Sequence, residues 1–158
     1  MEARIGPGEL ADELGRERGG FFEAIGAVSP ESMTTPGLVG EWSAREVIAH
    51  LGYWVGHATE TIHAVEHDRP MDSEPSVDDV NETVARVARD TDLAAVRRRE
   101  EASVAALIER LRSLDPAMLD LVVSGGGTLR DAIRDDGADH YREHAEALRT
   151  TLGESPRG

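Results

Sequence analysis

The stretch Trp42-Ser43-Ala44-Arg45-Glu46-Val47-Ile48-Ala49-His50-Leu51 fixes where a helix must begin, and the rest of the chain is read relative to it. Ser43 can accept the Glu46 N–H while the Glu46 carboxylate reaches back to the Ser43 N–H, the reciprocal pairing of a capping box. Trp42, one residue before the cap, can pack on Val47 as a hydrophobic staple. From Ser43 to about His67 the residues Val47, Leu51, Val55, Ala58, Ile62 and Val65 form an apolar stripe of helical period.

The same period recurs elsewhere. Leu10, Leu14, Phe21, Ile25 and Val28 line one face between Pro7 and Val28, although Gly15, Gly19 and Gly20 each cost about 1 kcal/mol relative to alanine inside a helix. Asp68 to Val77, with Pro70 and Pro75, reads as a crossover. A weaker helix follows over Asp78 to about Asp90, and a stronger one from Leu93 through Val96, Val104, Leu107, Leu111 and Leu114. Glu100 and Ser103 interrupt that last stripe and are read as its solvated edge, the alternative being that either reaches a polar pocket. Asp115-Pro116 predicts one short helical turn, and Ser124-Gly125-Gly126-Gly127 a flexible loop without the G-x-x-x-x-G-K-[ST] pattern of a phosphate-binding loop.

Thr128 and Asp131 have N-cap spacing and open the final helix, whose inward stripe reads Leu129, Ile133, Gly137, His140, His144 and Leu148. On this reading Gly137 removes bulk beside His140 and leaves room for a ligand. The pattern predicts an all-α chain forming a single domain over residues 1–158.

Composition excludes several function classes. The formal charge is −14, from 31 acidic against 17 basic residues, which disfavours nucleic acid and anionic lipid as partners. No cysteine is present, so disulfides, thiolate metal sites and a cysteine nucleophile are excluded, and any thiol chemistry needs an external thiol. Met1 to Arg18 has no apolar signal region and no stretch reaches the ~20 apolar residues of a membrane span, so the expectation is a soluble cytoplasmic protein.

The chemistry resides in the histidines. His140 and His144 stand one turn apart and project from one face of the last helix, and two neutral imidazoles on an apolar face leave ring nitrogens that a divalent ion would satisfy. His50 and His57 share a shoulder of the second helix, separated by about 10.5 Å of rise, so only one of them can join such a site. His63 and His67 fall on the outer face. His63-Ala64-Val65-Glu66-His67 and His140-Tyr141-Arg142-Glu143-His144 both match the H-x-x-E-H protease signature, but an adequate third ligand downstream is lacking.

A W-S-x-x-x-[VIL]-[ILV]-x-H-L segment ending in His50-Leu51, followed by Trp54 and by His140-x-x-x-His144 in the last helix, resembles the DinB-like family from helix 1 to about Leu152. That superfamily includes the N-terminal domains of mycothiol-dependent maleylpyruvate isomerases and the bacillithiol S-transferases. The resemblance implies a four-helix bundle with a long crossover between helices 2 and 3. It further implies a divalent ion, zinc or nickel, held by His50, His140 and His144. Asp136, one turn before His140, is read from its position as the partner behind that ligand, with a backbone carbonyl as the alternative. A low-molecular-weight thiol such as mycothiol would be the cofactor, and the activity that of a transferase or isomerase on a small electrophile. The alternative is a non-catalytic protein that binds or sequesters a small molecule in self-protection. A homodimer is compatible with the resemblance.

Overall fold

The computed structural model describes residues 4–70 and 76–154; Met1 to Ala3, the middle of the crossover with Pro75, and the tail from residue 155 lie outside the described residues. Among the described residues six α-helices follow in order: α1 (Pro7–Ile25), α2 (Ala44–Glu66), α3 (Val77–Arg89), α4 (Leu93–Ser113), α5 (Leu129–Asp136) and α6 (Ala138–Glu154), with a 3-10 turn at Pro116–Asp120 before α5. Among the described residues there is no strand, only isolated bridges between Val39 and Trp42 and between Val122 and Thr128. α1 packs on α4 and α6, while α2 packs on α4, α3 and α5 and touches α6 along a short seam. The long helices α1, α2 and α4, with α5 and α6 as the fourth arm, make a four-helix bundle, and the crossover from α2 to α4 carries α3.

The stripes read from the sequence are the ones that meet in the middle. Leu10, Phe21, Ile48, Leu51, Ile62, Leu107, Leu111, Leu129 and Leu148 are fully buried, and removal of this apolar area from water is the main favourable term in folding. At the start of α2 the Ser43 N–H donates to Glu46 Oε2 at 2.8 Å and the Ser43 hydroxyl to Oε1 at 3.1 Å. Both side chains are buried, so this cap is part of the core. Replacing Ser43 by alanine is expected to lower the unfolding free energy by about 1 kcal/mol or more, whereas His63→Ala, on an exposed ring, should change it by less than about 0.5. Urea titration of the two variants checks the order.

The structure corrects two of the expectations. The final helix is not continuous: it breaks at Gly137, with φ −110° and ψ −106°, into α5 and α6. A Cβ at Gly137 would lie 2.8 Å from the Ile133 carbonyl oxygen and 3.5 Å from Leu14 Cδ1. The glycine therefore permits the break and the close approach to α1, and leaves no ligand space beside His140. Beyond the break the helix phase shifts, so that Ala138, Tyr141, Ala145 and Leu148 face the core while His140 and His144 sit half-buried at its margin.

Glu100 is the second correction. It is not a solvated edge but 1% exposed. Arg18 grips its carboxylate through Nε at 2.6 Å and a terminal nitrogen at 2.8 Å, and the Tyr141 hydroxyl donates to it at 2.6 Å. A carboxylate in that position is tolerable because both of its oxygens accept hydrogen bonds and one of the donors is cationic.

Candidate metal centre

Two helices, α2 and α6, bring three histidines to one place. The α2 cap sets the phase of the helix so that His50, two turns in, turns toward α6, and the break at Gly137 lets α6 swing its first two turns alongside. His50 Nε2 and His140 Nε2 are 2.8 Å apart. The ring centroids of His50 and His144 are 5.1 Å apart and those of His140 and His144 4.9 Å. One ligating atom from each of the three residues lies within 4.8 Å of the other two.

The surroundings keep these rings uncharged. Burial, and after it the neighbouring His140 and His144, push His50 down to about 3, with Asn81 acting the other way. Burial and then His144 push His140 down to about 4, and burial lowers His144. All three therefore present neutral imidazoles at neutral pH, the form that ligates. Trp42 closes one side with its ring 5.1 Å from His50, and Trp54 donates from Nε1 to Asn81 Oδ1 at 2.9 Å, holding Asn81 beside the site.

These residues fit a divalent ion. Metal–nitrogen distances of about 2.0–2.1 Å demand ligating nitrogens roughly 3–3.5 Å apart; the His50 and His140 Nε2 atoms at 2.8 Å are close to that, and a His144 nitrogen lies within 4.8 Å of both. Mutual hydrogen bonding cannot satisfy three converging imidazoles at once, whereas one shared ion can. An all-imidazole donor set suits zinc, copper, iron or nickel rather than magnesium or calcium. His140 and His144 are partly exposed, which leaves an approach from solvent.

The remaining histidines have other partners. His57 Nδ1 lies 2.7 Å from Asp136 Oδ2, so Asp136 holds His57 and does not stand behind His140 as expected. The reason is the break at Gly137, which leaves Asp136 at the end of α5, facing α2. His63 and His67 stack on each other at the exposed end of α2, with centroids 4.1 Å apart. Asn81 is invisible to sequence reasoning, since a single asparagine in a weakly periodic helix carries no signal of its own.

Comparison with known proteins places this geometry. Residues 14–145 match the family described as the mycothiol maleylpyruvate isomerase N-terminal domain. The chain belongs to this family. It is DinB-like, and the matched span runs from within α1 to within α6, taking in His50, His140 and His144. Among curated proteins, no sequence matches the chain.

Solved structures show the same fold at low identity. An uncharacterised protein from Escherichia coli UTI89 superposes with a TM-score of 0.80 at 12% identity, covering 96% of this chain and 95% of that one. The colibactin self-resistance protein ClbS, solved in complex with a double-stranded DNA, gives 0.77 at 12% identity over 96% of this chain and 98% of its own. A mycothiol-dependent maleylpyruvate isomerase gives 0.73 at 16% identity, with 91% of this chain covering 61% of the isomerase. This family member therefore spans about three fifths of that isomerase. No helix among the described residues is long and apolar enough to cross a membrane.

Proposed function

We propose that this protein binds one divalent ion, zinc or nickel, through His50, His140 and His144, and that it promotes transfer or isomerisation chemistry between a low-molecular-weight thiol such as mycothiol and a small electrophile. The observation that carries the reading is the convergence of three neutral imidazoles on one point at the margin of the core. When bound, such an ion supplies Lewis acidity and lowers the pKa of a coordinated water or thiol toward neutrality. The chain's own residues supply the rest. Burial holds His50 and His140 unprotonated, Trp42 packs against the His50 ring, and the partial exposure of His140 and His144 leaves a ligand an approach from solvent. With no cysteine in the chain, the thiol must come from outside.

Elemental analysis of freshly purified protein, run beside a thiol-consumption assay with mycothiol and generic electrophiles, tests this. About one equivalent of metal and thiol consumption that stops on chelation are the expected outcomes. A second reading, a non-catalytic protein that sequesters a reactive small molecule, draws support from the self-resistance role of ClbS. Metal without thiol turnover would favour it. Under either reading the partner is a small molecule, and the charge of −14 argues against nucleic acid. A homodimer in the cytoplasm completes the proposal.

A further inference from the structure

We infer that the cavity between α2, α3 and α4 is a second ligand site, which takes a small apolar carboxylate with its anionic end at Arg99. The cavity measures about 300 Å³ and its walls include Ala49, Val84, Val87 and Val96. None of His50, His140 and His144 lines it. That volume is at the lower end for small-molecule pockets, and a mostly apolar wall with a few placed polar groups is their usual make-up.

The cavity follows from how α2 meets its neighbours. At Gly52 the helices are as close as they can be, since an added Cβ would lie 3.1 Å from Glu100 Cα. α3 rests chiefly on α2 rather than on α4, which leaves the space between α3 and α4 open. Val87, on the α3 side of that space, is 50% exposed, an apolar surface that an occupant would cover.

Charge selects the occupant. Glu100 lines the inner end, but its carboxylate is engaged by Arg18 and Tyr141 and offers no free charge to a ligand. Arg99, the next residue, also lines the cavity and has no ion-pair partner among the described residues. Of the two charged side chains on the cavity wall, Arg99 is therefore the one left to meet a ligand among the described residues. Its planar fork matches a carboxylate through two parallel hydrogen bonds. The Thr83 and Ser103 hydroxyls on the same walls add donors. A molecule that joins a hydrocarbon body to one carboxylate uses both features together, whereas a cation or a purely polar anion uses only one.

Calorimetry with octanoate, and with 1-octanol as its neutral counterpart, tests the inference on the full-length protein. Octanoate should bind saturably at one site. Arg99→Gln should weaken octanoate about tenfold or more, the effect of losing a charge-assisted hydrogen bond, and leave octanol unchanged. Val84→Trp, which fills the cavity, should remove binding of both, and Val87→Glu, a change at an already exposed position, should repel octanoate selectively if the tryptophan variant does not fold. His144→Ala should bind octanoate as the parent protein does. Absence of saturable binding, equal affinity in the Arg99→Gln and Val87→Glu variants, or loss of binding in His144→Ala would each overturn the assignment, the last by placing the carboxylate at the histidine cluster.

Discussion

Replacing any one of His50, His140 or His144 by alanine is expected to lower zinc or nickel affinity by more than ~10²-fold, beyond the 10–100-fold typical of losing a group that merely supports a ligand. His57→Ala, whose ring is held by Asp136 away from the cluster, should leave affinity unchanged. Titration calorimetry on metal-stripped protein measures this directly, and the rise in melting temperature with added metal, about 2.7 kcal/mol of stabilisation at a hundred times Kd, gives a second readout. Unchanged affinity in all three variants would exclude the site. The metal-stripped parent also has a pH signature. The rings titrate near 6.5 when unfolded, but His50 and His140 only at about 3 and about 4 when folded. Between those values the unfolded chain binds more protons, so stability should fall as pH drops from about 6.5 toward 4. The His50→Ala and His140→Ala variants should show a shallower fall.

The second large effect belongs to the buried carboxylate. Arg18→Ala is expected to destabilise the fold by about 3–5 kcal/mol, because it leaves Glu100 in the core with the Tyr141 hydroxyl as its remaining partner. Arg18 also lies over the Phe22 ring at 4.6 Å, so apolar packing is lost with the charge. The double replacement Arg18→Met with Glu100→Leu should recover most of the loss, since no charge is then left unpaired in the interior. Urea denaturation of the single and double variants separates the two contributions. A single variant within 1 kcal/mol of the parent, on this order-of-magnitude scale, would show that Glu100 finds water or another partner once Arg18 is gone.

Much of this architecture is legible in short stretches of the chain. The cap at Ser43 and Glu46, the apolar faces of α1, α2 and α4, and the pairing of His140 with His144 are local properties, set by spacings of three and four residues and by side chains reaching their own backbone. Such features carry over from sequence to structure because they involve atoms within a few residues of each other. The outward placement of His63 and His67 is legible for the same reason. Periodicity alone leaves the choice between His50 and His57 as the third member open, and family resemblance points to His50.

What lies beyond the sequence depends on which helices become neighbours. Glu100 reads as a polar interruption of a stripe until Arg18, 82 positions away, is brought to it across α1 and α4. Gly137 reads as missing bulk until the Ile133 carbonyl and Leu14 are seen to occupy the place of its side chain. The break there then reassigns Asp136 to His57 and moves His140 and His144 from the centre of the buried face to its margin. Helices, caps and apolar faces are written locally in the chain, because short-range sterics and the period of the backbone set them. Which buried charges meet, where the last helix breaks and how the histidines converge are settled only by packing, because those outcomes depend on contacts between helices far apart in the chain.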